Sequence, residues 1–330
     1  MNRRAFVSAA AACSVVSASS LPVARAQSAP RFADAIRYSA DQGGASLLVV
    51  RNGLVLAEDY PGGAPDTRWP TGEGTRVMMP LLIGALVSDR LLRLDDPAAL
   101  TLGAWGADAR AAITIRTLLD GTSGLAFGQN DTRSLATALA LQPAATPGFI
   151  CDAAPYFLLT EIARRKLADA TGDPDPAQYL TDRVLGPIGC IPVGWMRGDD
   201  GPRFDDGGAV SARGWAVVGE LVRRAGVWRA EQLVDAETLR EAVRGSVYEP
   251  RAGAGLWLAA ASQQNAANLP VTTDLWRASS PAPIDLAMAA GAAGQRLYIA
   301  LSAGVVVARQ TRAAMPWSDA RFLTLLWRDL

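Results

Sequence analysis

Residues Arg68 to Pro97 read RWPTGEGTRVMMPLLIGALVSDRLLRLDDP, and the rest of the chain is best understood outward from this stretch. Pro80 to Leu92 is apolar almost throughout, which predicts a helix buried in the middle of a domain rather than one lying on its surface. Just before it stand two residues of opposite charge, Glu73 and Arg76, three positions apart. That spacing puts both side chains on one helical face, so an i, i+3 ion pair is expected. The acidic member is also favoured near a helix N-terminus by the helix dipole. No serine lies between Ser46 and Ser88, and Lys166 is the only lysine in the chain.

The chain has 330 residues, half of them apolar, which is enough for one large domain or two smaller ones with a substantial core. Basic and acidic residues number 32 each; leaving out Arg3, Arg4 and Arg25 of the N-terminal segment takes the 32 basic residues to 29. A weakly acidic body carries no electrostatic footprint for nucleic acid. Histidine is absent. Without the commonest metal ligand and general base, Ser-His-Asp, Cys-His and zinc-hydrolase chemistry are set aside, and neither a metal nor a cofactor is expected.

The first residues, MNRRAFVSAAAACSVVSASSLPVARA, combine paired arginines, a mildly apolar run and the small-residue site Ala24-Arg25-Ala26. They read as a cleaved export signal over residues 1–26, and Arg3-Arg4-Ala5-Phe6-Val7 looks like a twin-arginine signal. The mature chain would then begin near Gln27, in a bacterial periplasm or outside the cell. Cys13 lacks the preceding leucine usual at a lipid-attachment cysteine. No other segment is long and apolar enough to span a membrane. Cys151 and Cys190 remain in the mature chain, as a disulfide or, the preferred reading, as two buried free thiols.

Arg31 to Gln42 has helical spacing of apolar residues. Ala45 to Tyr60 follows as two apolar runs joined by Asn52-Gly53, a hairpin signal because both turn residues tolerate positive φ. Ala154 to Ala170, Gly214 to Ala225 and the shorter Asp235 to Arg244 read as helices. Strand-like runs return at Gly255 to Ala261, Ile284 to Ala290, Arg296 to Leu301 and Val305 to Gln310, close enough in sequence to pair antiparallel. Pro316 to Leu330 closes the chain as a helix with Ser318 as N-cap. Strands at both ends around a helical middle predict an α/β (α+β) fold: an antiparallel β-sheet flanked by N- and C-terminal helices, with an inserted all-α domain. The expected division is 27–72 with 246–330 for the sheet domain and 73–245 for the insertion.

Several short motifs occur in a telling order. Leu94-Asp95-Asp96-Pro97 follows the apolar helix. Ile113-Thr114-Ile115-Arg116 precedes Leu118-Leu119-Asp120-Gly121-Thr122-Ser123-Gly124-Leu125. Gly186-Pro187-Ile188-Gly189-Cys190, Gly207-Gly208-Ala209-Val210-Ser211-Ala212 and Gly291-Ala292-Ala293-Gly294-Gln295 come later. Together they resemble the serine β-lactamase and penicillin-binding-protein superfamily, in the class C β-lactamase-related branch that contains aminohexanoate-dimer hydrolase and related esterases. The resemblance extends over nearly all of the mature chain and implies that family's β-lactamase/transpeptidase-like fold.

It also implies a site. In the family a serine attacks an acyl carbon and a lysine one helical turn later handles its proton. A Tyr-x-Asn motif assists, and a Lys- or His-x-Gly on a strand lies beside the oxyanion hole. Counting back from Leu82-Ile83-Gly84 puts Glu73 at the serine's place and Arg76 at the lysine's. Cys151-Asp152-Ala153 falls where Tyr-x-Asn belongs, and Ala289-Ala290-Gly291 keeps only the glycine that allows close backbone approach. Arginine stays protonated and cannot act as a general base. No catalytic motif is intact.

The resemblance therefore implies an exported pseudoenzyme that binds a small molecule, peptide or cell-wall fragment in the old cleft, with Glu73, Arg76, Cys151, Asp152, Gly291 and Gln295 as candidate ligand-binding residues. Asp285 is a further polar candidate, although strand-end residues such as Asp285 and Gln295 equally suit solvent. Two alternatives stay open. One is an active esterase or amidase centred on Cys151, its thiol pKa lowered by Arg76, or on Glu73 with Asp152. The other is an interaction protein whose cleft is filled.

Overall fold

The computed structural model describes residues 31–259, 269–276 and 282–330. The expected export signal, with Cys13, lies outside the described residues, as does the end of the run predicted from Gly255 to Ala261.

Asn52 and Gly53 take φ of 50° and 81°, as the turn between β1 (Gly44–Arg51) and β2 (Leu54–Asp59) requires. The sheet is completed by β3 (Ala252–Gly253), β4 (Leu256–Leu258), β5 (Leu286–Gly291), β6 (Gln295–Ala300) and β7 (Val305–Thr311). All pairings are antiparallel, in the order β3-β4-β5-β6-β7-β1-β2. The first strand of the chain thus pairs with the last, Leu47 opposite Arg309 and Val49 opposite Val307.

Side chains alternate across a strand, so this sheet feeds two cores. Leu48, Val50, Leu297, Ile299 and Val306 face the helical part of the molecule, where α4 (Ala212–Arg223) lies against them. Leu47, Val49, Met288, Tyr298 and Val307 face the other way, onto α1 (Ala33–Asp41) and α6 (Asp319–Trp327). Ser318 caps α6 as expected, accepting from the Arg321 N–H at 3.0 Å.

The helical part is built around α2 (Met78–Ser88), in which Met78 to Leu86 are all buried. It packs with α3 (Ala154–Thr171) and α5 (Ala236–Ala242). The Glu73–Arg76 segment differs from expectation. It is a 3-10 turn, Gly72–Val77, leading into α2 rather than part of the α-helix itself. No described helix is long and apolar enough to cross a membrane.

Candidate functional site

The 3-10 turn is fixed at its start by hydroxyls. Thr71 Oγ1 lies 2.9 Å from Thr75 Oγ1 and donates to the Gly208 carbonyl at 3.0 Å, while the Gly208 N–H donates to Thr75 Oγ1 at 2.9 Å. The end of β5 presses against it. A Cβ on Gly291 would stand 1.9 Å from the Thr71 carbonyl oxygen, so only glycine permits the approach.

One residue beyond that glycine, the Ala292 N–H donates to Glu73 Oε2 at 3.0 Å. Glu73 and Arg76 do not form the expected ion pair. The carboxylate turns to a backbone donor 219 positions away, and the guanidinium turns to the other wall. Arg76 Nη1 donates to Cys151 Sγ at 3.0 Å and Nε to the Asp205 carbonyl at 3.3 Å, with the group 5.1 Å over the Tyr156 ring. Burial disfavours the Arg76 cation, but Tyr156, Cys151 and Glu73 outweigh it and hold its pKa above the ordinary value. Arg76 stays charged.

The environment of Cys151 goes against the alternative in which Arg76 lowers its pKa. Burial dominates and pushes the thiol above the ordinary cysteine range, with Arg76 pulling only partly the other way. Burial likewise raises Tyr156 to about 12. Both cysteines are free thiols, Cys190 buried in the core with its pKa pushed to about 12.

Glu73, Arg76, Cys151, Asp152 and Gly291 line one cavity of about 530 Å³, walled also by Tyr156, Phe149 and Trp257. Within it Asp152 has a structural task, Oδ1 accepting from the N–H groups of Ala154 and Phe127 at 2.8 and 3.1 Å. Gln295 is not part of the lining. It is buried between strands, donating to the Thr311 carbonyl at 3.1 Å and accepting from the Thr311 N–H at 3.2 Å, because its position on β6 faces β7 rather than the cleft. Asp285 also lies elsewhere, accepting from the Ser302 N–H at 2.7 Å.

Sequence reasoning missed Tyr156, which falls within the helix expected over Ala154 to Ala170, and the Ala292 N–H, which no side-chain pattern announces. It also missed what holds that N–H in place. Ala293 takes a left-handed φ of 60°, and the turn is gripped from behind by two buried arginines. Arg296 Nη1 donates to the Gly291 carbonyl at 3.1 Å, and Arg309 Nη1 to the Gly294 carbonyl at 2.6 Å. Arg296 is itself held by Asp319, with Nε donating to Oδ1 at 2.9 Å. Arg309 has carbonyl and hydroxyl partners and lies 3.7 Å over Trp317; burial brings its pKa down to about 10.

Comparisons with known proteins agree with this architecture. The Beta-lactamase family model matches residues 31–230, more than half of the chain. The structure resembles a beta-lactamase/D-alanine carboxypeptidase from Pseudomonas syringae (TM-score 0.67, 14% identity, 90% of this chain and 98% of that one). It also resembles a penicillin-binding protein homolog from Caulobacter crescentus (0.65, 16%, 92% and 98%). EstCE1, a hydrolase with promiscuous acyltransferase activity, gives 0.68 at 16% identity over 91% and 97%. At these identities the likeness concerns fold alone. No curated protein matches the chain in sequence.

Proposed function

The chain belongs to the beta-lactamase family, and we propose that it is an exported member that has lost acyl-transfer chemistry and keeps the cleft for binding a ligand. The observation that carries this reading is the 3.0 Å bond from the Ala292 N–H to the Glu73 carboxylate. Acyl transfer needs backbone donors free to meet the negative charge that develops on a substrate oxygen. Here a fixed carboxylate already takes the donor, and its negative charge repels an incoming oxyanion. The rest of the site agrees: Arg76 cannot accept a proton, and Cys151 is held as the neutral thiol rather than the nucleophilic thiolate.

The test is intact-mass analysis after incubation with penicillin or a fluorophosphonate probe. No mass gain is expected, and an adduct on any residue overturns the reading. Export rests on the paired arginines and the Ala24-Arg25-Ala26 site. Protein recovered from outside the cytoplasm should begin near Gln27; retention of residues 1–26 there would count against cleavage.

A further inference from the structure

Glu73 and Arg76 sit on one turn, line one cavity and do not touch each other. Each has bonding capacity left over. Glu73 uses Oε2 on Ala292, and Oε1 has no protein partner among the described residues. Arg76 uses Nε and Nη1, and Nη2 likewise has no hydrogen-bond partner among them. Glu73 is exposed and Arg76 half-buried, so water completes both in the free protein, and a ligand that displaces it has to offer a donor to the first and an acceptor to the second.

A ligand with a single charge meets one matching and one repelling neighbour there. A ligand carrying an ammonium and a carboxylate on one carbon satisfies both, with charge-assisted hydrogen bonds at each end. Asp120, Arg133, Asp152 and Arg296 also line the cavity, and its aromatic part is made by Phe149 and Trp257, which meet edge to face with ring centroids 6.4 Å apart. A cavity of about 530 Å³ falls within the range of small-molecule sites, roughly 300–1,000 Å³.

We propose that the cavity binds a small aminocarboxylate zwitterion with an apolar side chain, its ammonium toward Glu73, its carboxylate toward Arg76 and its side chain against Phe149 and Trp257. The proposal rests on the reading of a cleft that binds without acylating, and it names the ligand class.

Titration calorimetry on the purified protein with phenylalanine, 3-phenylpropionate and 2-phenylethylamine tests it, since the last two each lack one of the charges. Phenylalanine should bind about tenfold or more tighter than either. Glu73→Gln should erase its margin over phenylpropionate, and Arg76→Gln its margin over phenylethylamine. Should Arg76→Gln not fold, Glu73→Gln, at an exposed side chain, decides alone. No binding of phenylalanine, or a one-charge compound binding as tightly, overturns the proposal. Either result leaves the absence of acyl chemistry standing, because that reading falls only to a covalent adduct.

Discussion

The turn at Gly291 to Gly294 has two sides that differ in how their charges are satisfied. Behind it, Arg296, Asp319, Tyr298 and Trp317 form a buried network in which the carboxylate accepts from all three neighbours. In front of it, Glu73 and Arg76 leave each other alone and keep unmatched atoms toward the cavity. The rear is organised for rigidity, with Arg296 spent on Asp319 and on the Gly291 and Thr272 carbonyls even though it also borders the cavity. The front depends on that rigidity, since the Ala292 N–H is aimed at Glu73 by a turn anchored from the other face. Saturation behind and incompleteness ahead distinguish scaffold from site more clearly than burial alone.

The sharpest way to break the contrast is to remove the rear carboxylate. Asp319 and Arg296 are 0% and 3% exposed, so Asp319→Ala leaves a buried cation unpaired and should cost about 3–5 kcal/mol in urea unfolding. A loss below about 1 kcal/mol would mean the network is not the anchor described.

A second prediction concerns the front. Because burial raises the Cys151 thiol, iodoacetamide should modify it more slowly at neutral pH than an ordinary exposed cysteine, accelerating as pH rises past the ordinary range. The folded state favours the protonated form, so this stabilisation is present below the unfolded thiol's pKa and is lost as pH climbs through the folded value. Rapid labelling at pH 7, followed by mass spectrometry, would show instead that Arg76 prevails over burial. The smallest effect belongs to Glu73→Gln, whose exposed side chain should change stability by no more than about 0.5 kcal/mol, measured by the same unfolding curves. A larger loss would move Glu73 from the site to the scaffold.

The hairpin at Asn52-Gly53, the buried helix after Arg76 and the Ser318 cap were legible in the sequence because each follows from local chemistry, and the close approach at Gly291 because the family resemblance implied it. So was the ordering of strands and helices. The partners of Glu73 and Arg76 were not legible. Spacing suggested they would bond each other, yet Glu73 takes Ala292, far along the chain and brought in by β5, while Arg76 takes Cys151, a neighbour that only the family resemblance had placed beside it. Gln295 misled for a related reason: adjacency to the glycine turn does not reveal which neighbour a strand residue faces. The Cys151 pKa could be guessed from its charged neighbour but not its sign, since burial is a property of the folded molecule.

The pairing of β1 with β7 has a consequence for how the protein comes into being. Strand β1 leaves the ribosome early and has β2 as a local partner, but its other edge stays bare until Val305–Thr311 has been synthesised. β5, which carries the site's glycine, also belongs to this late-made portion. The nascent chain therefore holds an exposed strand edge while all the residues between β2 and β7 are made, and its cleft takes shape only once β5 has followed. Such dependence on distant contacts slows folding and invites association with other chains in the interval, so newly made protein gains from having that edge shielded until synthesis is finished.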